Sequence, residues 1–143
     1  MAQLSLKHAN QIIQAALELA RSKKYTPLAV VVLDASGHLV SGQREDGASM
    51  FRIDVATGKA WGAVAMGCSS RALGQRAKEN PNFLLGLAAT SNGKLLAQQG
   101  AVLIVSASGE ILGSCGASGA SGDQDEECCA HGVRQAGFAT EAK

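Results

Sequence analysis

The chain has 143 residues, enough for one ordinary domain with a sizeable core and too few for two. Apolar residues make up 46% but aromatics only 3%, so the core must come from Ala, Val, Leu and Ile, and aromatic stacking platforms for single-stranded nucleic acid are excluded. Thirteen Lys and Arg balance twelve Asp and Glu, and apart from Lys23-Lys24 the basic residues are scattered, so nothing tracks a phosphate backbone and no nucleic-acid partner is expected.

The first residues, MAQLSLKHANQIIQAALELARSKK, lack the apolar core of a signal peptide, and no later segment approaches the length needed to cross a bilayer. The expectation is a cytoplasmic protein without membrane association, in which Cys68, Cys115, Cys128 and Cys129 are free thiols. Apolar residues at three- and four-residue spacing from Leu4 to Ala20, with Ser5 as N-cap, predict a helix over Ser5–Ser22. The β-branched run Leu28–Leu33, the turn DASG and the resumption at His38 predict a hairpin. From Phe51 to about Ser70 small residues dominate. Glycine disfavours a helix by about 1 kcal/mol relative to alanine, so this helix is expected to be approached closely by a sheet, a subunit or a ligand. Asn80-Pro81 predicts the start of a short helix through Leu87. Gly100–Ile104, SASG and Glu110–Cys115 repeat the hairpin pattern, and a terminal helix follows. Hairpins separated by helices imply a single α/β (α+β) domain over residues 1–143, with an antiparallel sheet and packed helices.

Two stretches can carry chemistry. GSCGASGASGD, Gly113–Asp123, reads either as a glycine-rich anion-binding nest between strand and helix or as a tight turn that needs glycine. It lacks the Lys of a phosphate-binding P-loop and the spacing of a nucleophile elbow. In SGDQDEECCAHG, Asp123 as N-cap and Glu126 three residues on make a capping box, with Asp125 and Glu127 favourable in the first turn. His131 shares a helical face with Cys128 and Glu127, a pairing that can ligate a metal or haem iron. Lys59 stands alone among small residues, either reaching to solvent or aimed at an anion.

The blocks VLDASG (Val32–Gly37), Arg44 with Asp46-Gly47, Lys59-Ala60, the glycine-serine run Gly113–Gly119 and Asp125-Glu126 stand in an order that resembles the GlcG/HbpS family, which includes the C-terminal domain of PduO-type corrinoid adenosyltransferases. The resemblance extends to about Phe138. It implies a profilin-like antiparallel sheet with packed helices, a homo-oligomer, and association of some members with haem, corrinoid or iron. The small-residue helix would then serve as an oligomer packing surface. On this resemblance Arg44, Lys59, Ser118, Gly119, Asp125 and Glu126 converge on one pocket, where Arg44 and Lys59 meet the carboxylates of a haem or other small ligand. Alternatively, Arg44 and Lys59 pair with Asp125 and Glu126 and pin the terminal helix to the sheet. Haem-iron candidates are His131 and His8, with Cys128 and Cys115 behind. The paired cysteines and His131 depart from the family's usual small apolar residues after Asp-Glu.

Three functions follow as expectations. The first is a cytosolic oligomer that binds haem or a related tetrapyrrole. The second is an enzyme acting on a small carboxylated metabolite, with Lys59, Glu126 and His131 as the catalytic acid–base candidates. The third is a structural or regulatory partner protein with no pocket chemistry.

Overall fold

The computed structural model describes residues 3–141. Helix α1 spans Leu6–Ser22, and the Ser5 hydroxyl accepts from the His8 N–H as the expected cap. Strands β1 (Ala29–Asp34) and β2 (Leu39–Arg44) form the first hairpin, with the Asp34 carboxylate bracing the turn through the N–H groups of Ser36 and His38. Helix α2 covers Phe51–Met66 and stops at Gly67, which takes the left-handed conformation at φ 68°. Helices α3 (Ser70–Glu79) and α4 (Pro81–Thr90) follow, then β3 (Ala101–Val105), β4 (Ile111–Ser118) and α5 (Gly122–Gln135).

The strands form one antiparallel sheet in the order β2-β1-β4-β3. Alternate residues of the strands face opposite ways, so each sheet face has its own core. Val30, Val32, Val102, Ile104, Cys115 and Ala117 meet α1 and α5 on one face. Val31, Leu33, Ala101, Leu103 and Val105 meet α2 on the other, through Ala56, Ala60 and Ala63.

Three sequence expectations change. Helix α3 was not anticipated; Ser69 caps it, its side chain accepting from the Ala72 N–H. The run Gly113–Asp123 is not a loop, because Gly113–Ser118 is strand β4. Its glycines serve close approach. A Cβ on Gly116 would lie 2.4 Å from the Ala56 carbonyl oxygen, so only glycine lets α2 sit this low on the sheet. Finally, the N-cap of α5 lies two residues before the expected one. Ser121 is the N-cap and Gln124 closes the capping box, while Asp123 and Glu126 point to partners outside the helix.

The small-residue helix α2 finds its close neighbours within its own chain. Its alanines face the sheet, and a Cβ on Gly58 would come within 2.9 Å of Leu96. That face is therefore not left open as an oligomer surface.

Candidate functional site

The sheet register brings most of the expected ligand-binding residues to one end of the molecule. Arg44 pairs with Ala29, and Ala29 with Ser118, so Arg44 and Ser118 lie in one row two strand spacings apart, about 10 Å. The first turns of α5 and the middle of α2 close over the same end.

There Lys59 and Asp125 meet. The Lys59 ammonium donates to the Asp125 Oδ2 at 3.1 Å and to the Ala117 carbonyl at 3.0 Å, and the Ala120 N–H donates to the Asp125 Oδ1 at 3.1 Å. Lys59 is 3% exposed and Asp125 1%. Burial pushes the Asp125 carboxyl above the usual carboxylate value, with the Lys59 charge and hydrogen bond opposing the shift. Two glycines shape the enclosure. Gly100, at φ 136°, leaves room where a Cβ would stand 2.6 Å from the Lys59 ammonium, and Gly119, at φ 138°, passes the Pro27 carbonyl where a Cβ would lie at 2.1 Å. Ser118 is buried beside them and accepts from Arg52 at 3.3 Å. Lys59 and Asp125 thus bond to each other beside Ser118 and Gly119, with both charges buried.

Glu126 and Arg44 are placed differently. Glu126 accepts from Arg71 at 3.1 Å, and the same guanidinium reaches Asp123 at 2.7 Å, tying α3 to the start of α5. Gln99 adds a donor to Asp123, and together these partners hold the Asp123 carboxyl below its ordinary value. Arg44 is exposed and makes no ion pair or side-chain hydrogen bond among the described residues. It borders a groove of about 460 Å³ with Leu17, Arg21, Pro27 and Glu45, in which Arg21 and Glu45 pair at 2.9 Å. The pinning alternative therefore holds for Lys59 with Asp125, whereas Glu126 is matched by Arg71 instead of Arg44. Arg52, Arg71 and Gln99 carried no local signal, since each acts on residues far along the chain.

The iron candidates lie elsewhere. Helices α1 and α5 cross closely at Gly132, where a Cβ would stand 2.3 Å from the Ile12 carbonyl oxygen. Beyond that crossing His8 meets Phe138 edge to face, ring centroids 5.1 Å apart at 89°. The His8 ring is half-buried, and its Nδ1 is buried with no hydrogen-bond partner among the described residues. On the other side of the crossing, Glu127 is engaged by Lys23 and by the Tyr25 hydroxyl, which hold its carboxyl below the usual value. It is thus committed away from a shared metal with His131, which is itself half-buried. Cys128 is fully buried, and desolvation pushes its thiol up to about 12, which disfavours the thiolate a metal requires. Cys115 is also buried, beside Cys129, whose thiol burial raises as well. All four cysteines are free, and among the described residues no three His, Cys, Asp or Glu side chains are grouped to hold a metal ion. An axial haem ligand would need one side chain only.

A four-stranded antiparallel sheet with helices on both faces, and a basic residue locked to a carboxylate at one end, defines an α+β domain of the kind expected from the sequence. Residues 4–134 match the family model described as haem degrading protein HbpS-like, and the chain belongs to that family. It is similar to a crystal structure of a PduOC:heme complex, at 28% identity and TM-score 0.87, covering 98% of this chain and 99% of that one. It is also similar to a double mutant of Streptomyces reticuli HbpS, at 28% identity and TM-score 0.80 over 94% of this chain and 88% of that one. Klebsiella pneumoniae protein ORFY shares the fold, at 21% identity and TM-score 0.84 over 95% and 92% of the two chains. No curated protein matched the chain. Among the described residues no helix is long and apolar enough to cross a membrane.

Proposed function

We propose that this protein binds haem or a closely related tetrapyrrole, with His8 as the axial ligand, and that it works as a homo-oligomer. Membership of a haem-related family and similarity to a heme complex over nearly the whole of both chains support the class of ligand. The observation that carries the residue is the half-buried His8 imidazole, which makes no side-chain hydrogen bond among the described residues. Haem supplies an iron with an axial position that an imidazole nitrogen can fill. Phe138 fixes the plane of the His8 ring, and the half-exposed edge of that ring leaves its second nitrogen for the ligand.

Lys59 takes no part in holding this ligand, because Asp125 and the Ala117 carbonyl already occupy its ammonium. Of the two cations that the sequence assigned to a carboxylate, Arg44 remains. It shares a groove with Arg21, thirteen residues beyond His8 on α1, so the two sites lie about 20 Å apart along the helix. A haem ligated by His8 therefore leaves the Arg44 groove of the same chain free. An acid–base role for Lys59 and Glu126 is disfavoured on the same ground, since each is held in an ion pair.

Titration with hemin tests this reading. The expected result is a saturable Soret shift that His8→Leu weakens at least tenfold and His131→Ala leaves nearly intact, with both variants melting near the parent protein. Equal binding by the parent and His8→Leu overturns the assignment of His8. No saturable binding by the parent overturns the haem reading itself.

A further inference from the structure

Helix α4 ends in a turn built on the pair Asn92-Gly93. After the last helical residue, Thr90, and the cap, Ser91, Asn92 takes the left-handed conformation at φ 58° and Gly93 follows at φ 78°. The Asn92 N–H donates to the Ala89 carbonyl at 3.1 Å and the Gly93 N–H to the Ala88 carbonyl at 2.8 Å, the paired bonds of a Schellman cap. Asparagine tolerates that left-handed position better than other residues with a side chain, which accounts for its place here. Both residues are exposed, and nothing lies within 4 Å of where a Cβ on Gly93 would be.

Asparagine before glycine is also the pair most open to ring closure, because glycine puts no side chain in the way of its own nitrogen. The Gly93 nitrogen gives up its proton and attacks the Asn92 Cγ, and the side-chain amide leaves with that proton as ammonia. Water then opens the cyclic imide at either carbonyl, giving aspartate or isoaspartate. The proton that must leave is the one donated to Ala88, so ring closure requires the end of α4 to open first. Little holds that end in place. Leu84 is the one buried residue of α4, which packs chiefly on α3, and a helix end of this kind opens at far lower free energy than the whole domain.

We infer that Asn92 is a site of spontaneous deamidation whose rate is set by local opening of α4 and not by unfolding of the domain. The product cannot re-form the cap. Its carboxylate stands at a helix end whose carbonyls already carry partial negative charge, and isoaspartate inserts a methylene into the main chain between the two N–H groups that the cap needs. Each event therefore leaves α4, with Phe83 50% and Leu85 68% exposed, less firmly held than before.

Incubation of the full chain in mildly alkaline buffer, followed by trypsin and mass spectrometry of the peptide Glu79–Lys94, tests it. Fragment ions separate Asn92 from Asn82 and from Asn80, which precedes Pro81 and has no N–H to close on. The expected result is conversion of Asn92 to the acid, about tenfold or more slower in the parent than in the guanidinium-unfolded chain. Leu84→Ala, which loosens α4, should raise the rate about fivefold or more. Gly86→Ala, at a helical position with open space for a methyl group, should lower it about two- to fivefold. Ile13→Val weakens the core beneath α1, far from α4 in sequence, and should leave the rate unchanged, with melting confirming that every variant folds. Equal acceleration by Ile13→Val and Leu84→Ala overturns the local gate, and a parent rate equal to that of the unfolded chain overturns any gate. Absence of the acid at Asn92 in both the parent and Leu84→Ala, while the unfolded chain reacts, overturns the site.

Discussion

The two ends of α1 border opposite kinds of environment. At its C-terminal end the charged groups that look most like a binding site have satisfied one another: Lys59 with Asp125, Arg71 with Asp123 and Glu126, and Arg21 with Glu45. At its N-terminal end a single imidazole is half-open and carries an unpaired buried nitrogen. A cluster of complementary charges, however well assembled, is chemically spent once its members bond to each other. A half-exposed side chain with no partner of its own is a stronger pointer to a ligand.

The contrast breaks most visibly at Lys59. Lys59→Ala leaves the Asp125 carboxylate buried without its cation and is expected to destabilise the fold by about 3–5 kcal/mol in urea denaturation at neutral pH. The double replacement Lys59→Met with Asp125→Leu, which removes both charges, is expected to lose far less. The pH dependence has a definite sign. The folded Asp125 value already lies above the unfolded one because of burial, and removing Lys59 raises it further. The folded variant then takes up a proton at a pH where the unfolded chain does not, so its stability rises on acidification. The Lys59→Ala penalty should therefore shrink between pH 7 and about pH 5, and a constant penalty would show that Asp125 is not the source of the loss.

A smaller effect sharpens the comparison on the helix side. Gly132→Ala puts a methyl group against the Ile12 backbone, which cannot move without lifting α1 from α5, and a loss of about 1–3 kcal/mol is expected. Because His8 and Phe138 lie on these two segments, the variant should also disturb hemin binding, which Lys59→Met with Asp125→Leu should spare. The weakest expected effect is at Glu127, whose pairing with Lys23 and Tyr25 is partly exposed to solvent. Its lowered carboxyl value contributes stability above the unfolded value that is lost as pH falls through the folded one. Glu127→Gln should thus lose less stability than the parent between about pH 5 and pH 3.

Elements with a strong side-chain rhythm were legible in the sequence. Helix α1 and both hairpins announce themselves through Ile12, Ile13 and Ala16, and through Val30–Val32 and Leu103–Val105 beside turn residues. The far end of β4, Gly116–Ser118, did not, because glycine gives no alternation to read and its purpose, admitting the Ala56 backbone, lies on another element. Helix α3 was missed because SRALGQRAKE shows little apolar stripe beyond Ala72 and Leu73. The capping box was displaced because Ser121 with Gln124 and Asp123 with Glu126 have the same spacing, and only Arg71 reveals why the second pair is turned outward. In the site, Lys59 and Asp125 could be named as partners, but their burial could not, since it depends on Gly100 and Gly119 making room around them.

The last described residues have a protective consequence. Ala139 forms two backbone hydrogen bonds with Val105, each at 2.9 Å, beside the outer strand β3, whose residues AVLIV are all buried. An apolar strand at a sheet margin is the element most prone to recruit foreign strands, and here the chain shields it with its own tail. Among the described residues the opposite margin, β2, has no such cover, but it ends in Gln43 and Arg44, whose charge and hydration discourage further strands. Removing the segment after Val133 would therefore do more than shorten the protein. It would turn one guarded margin into a template for aggregation.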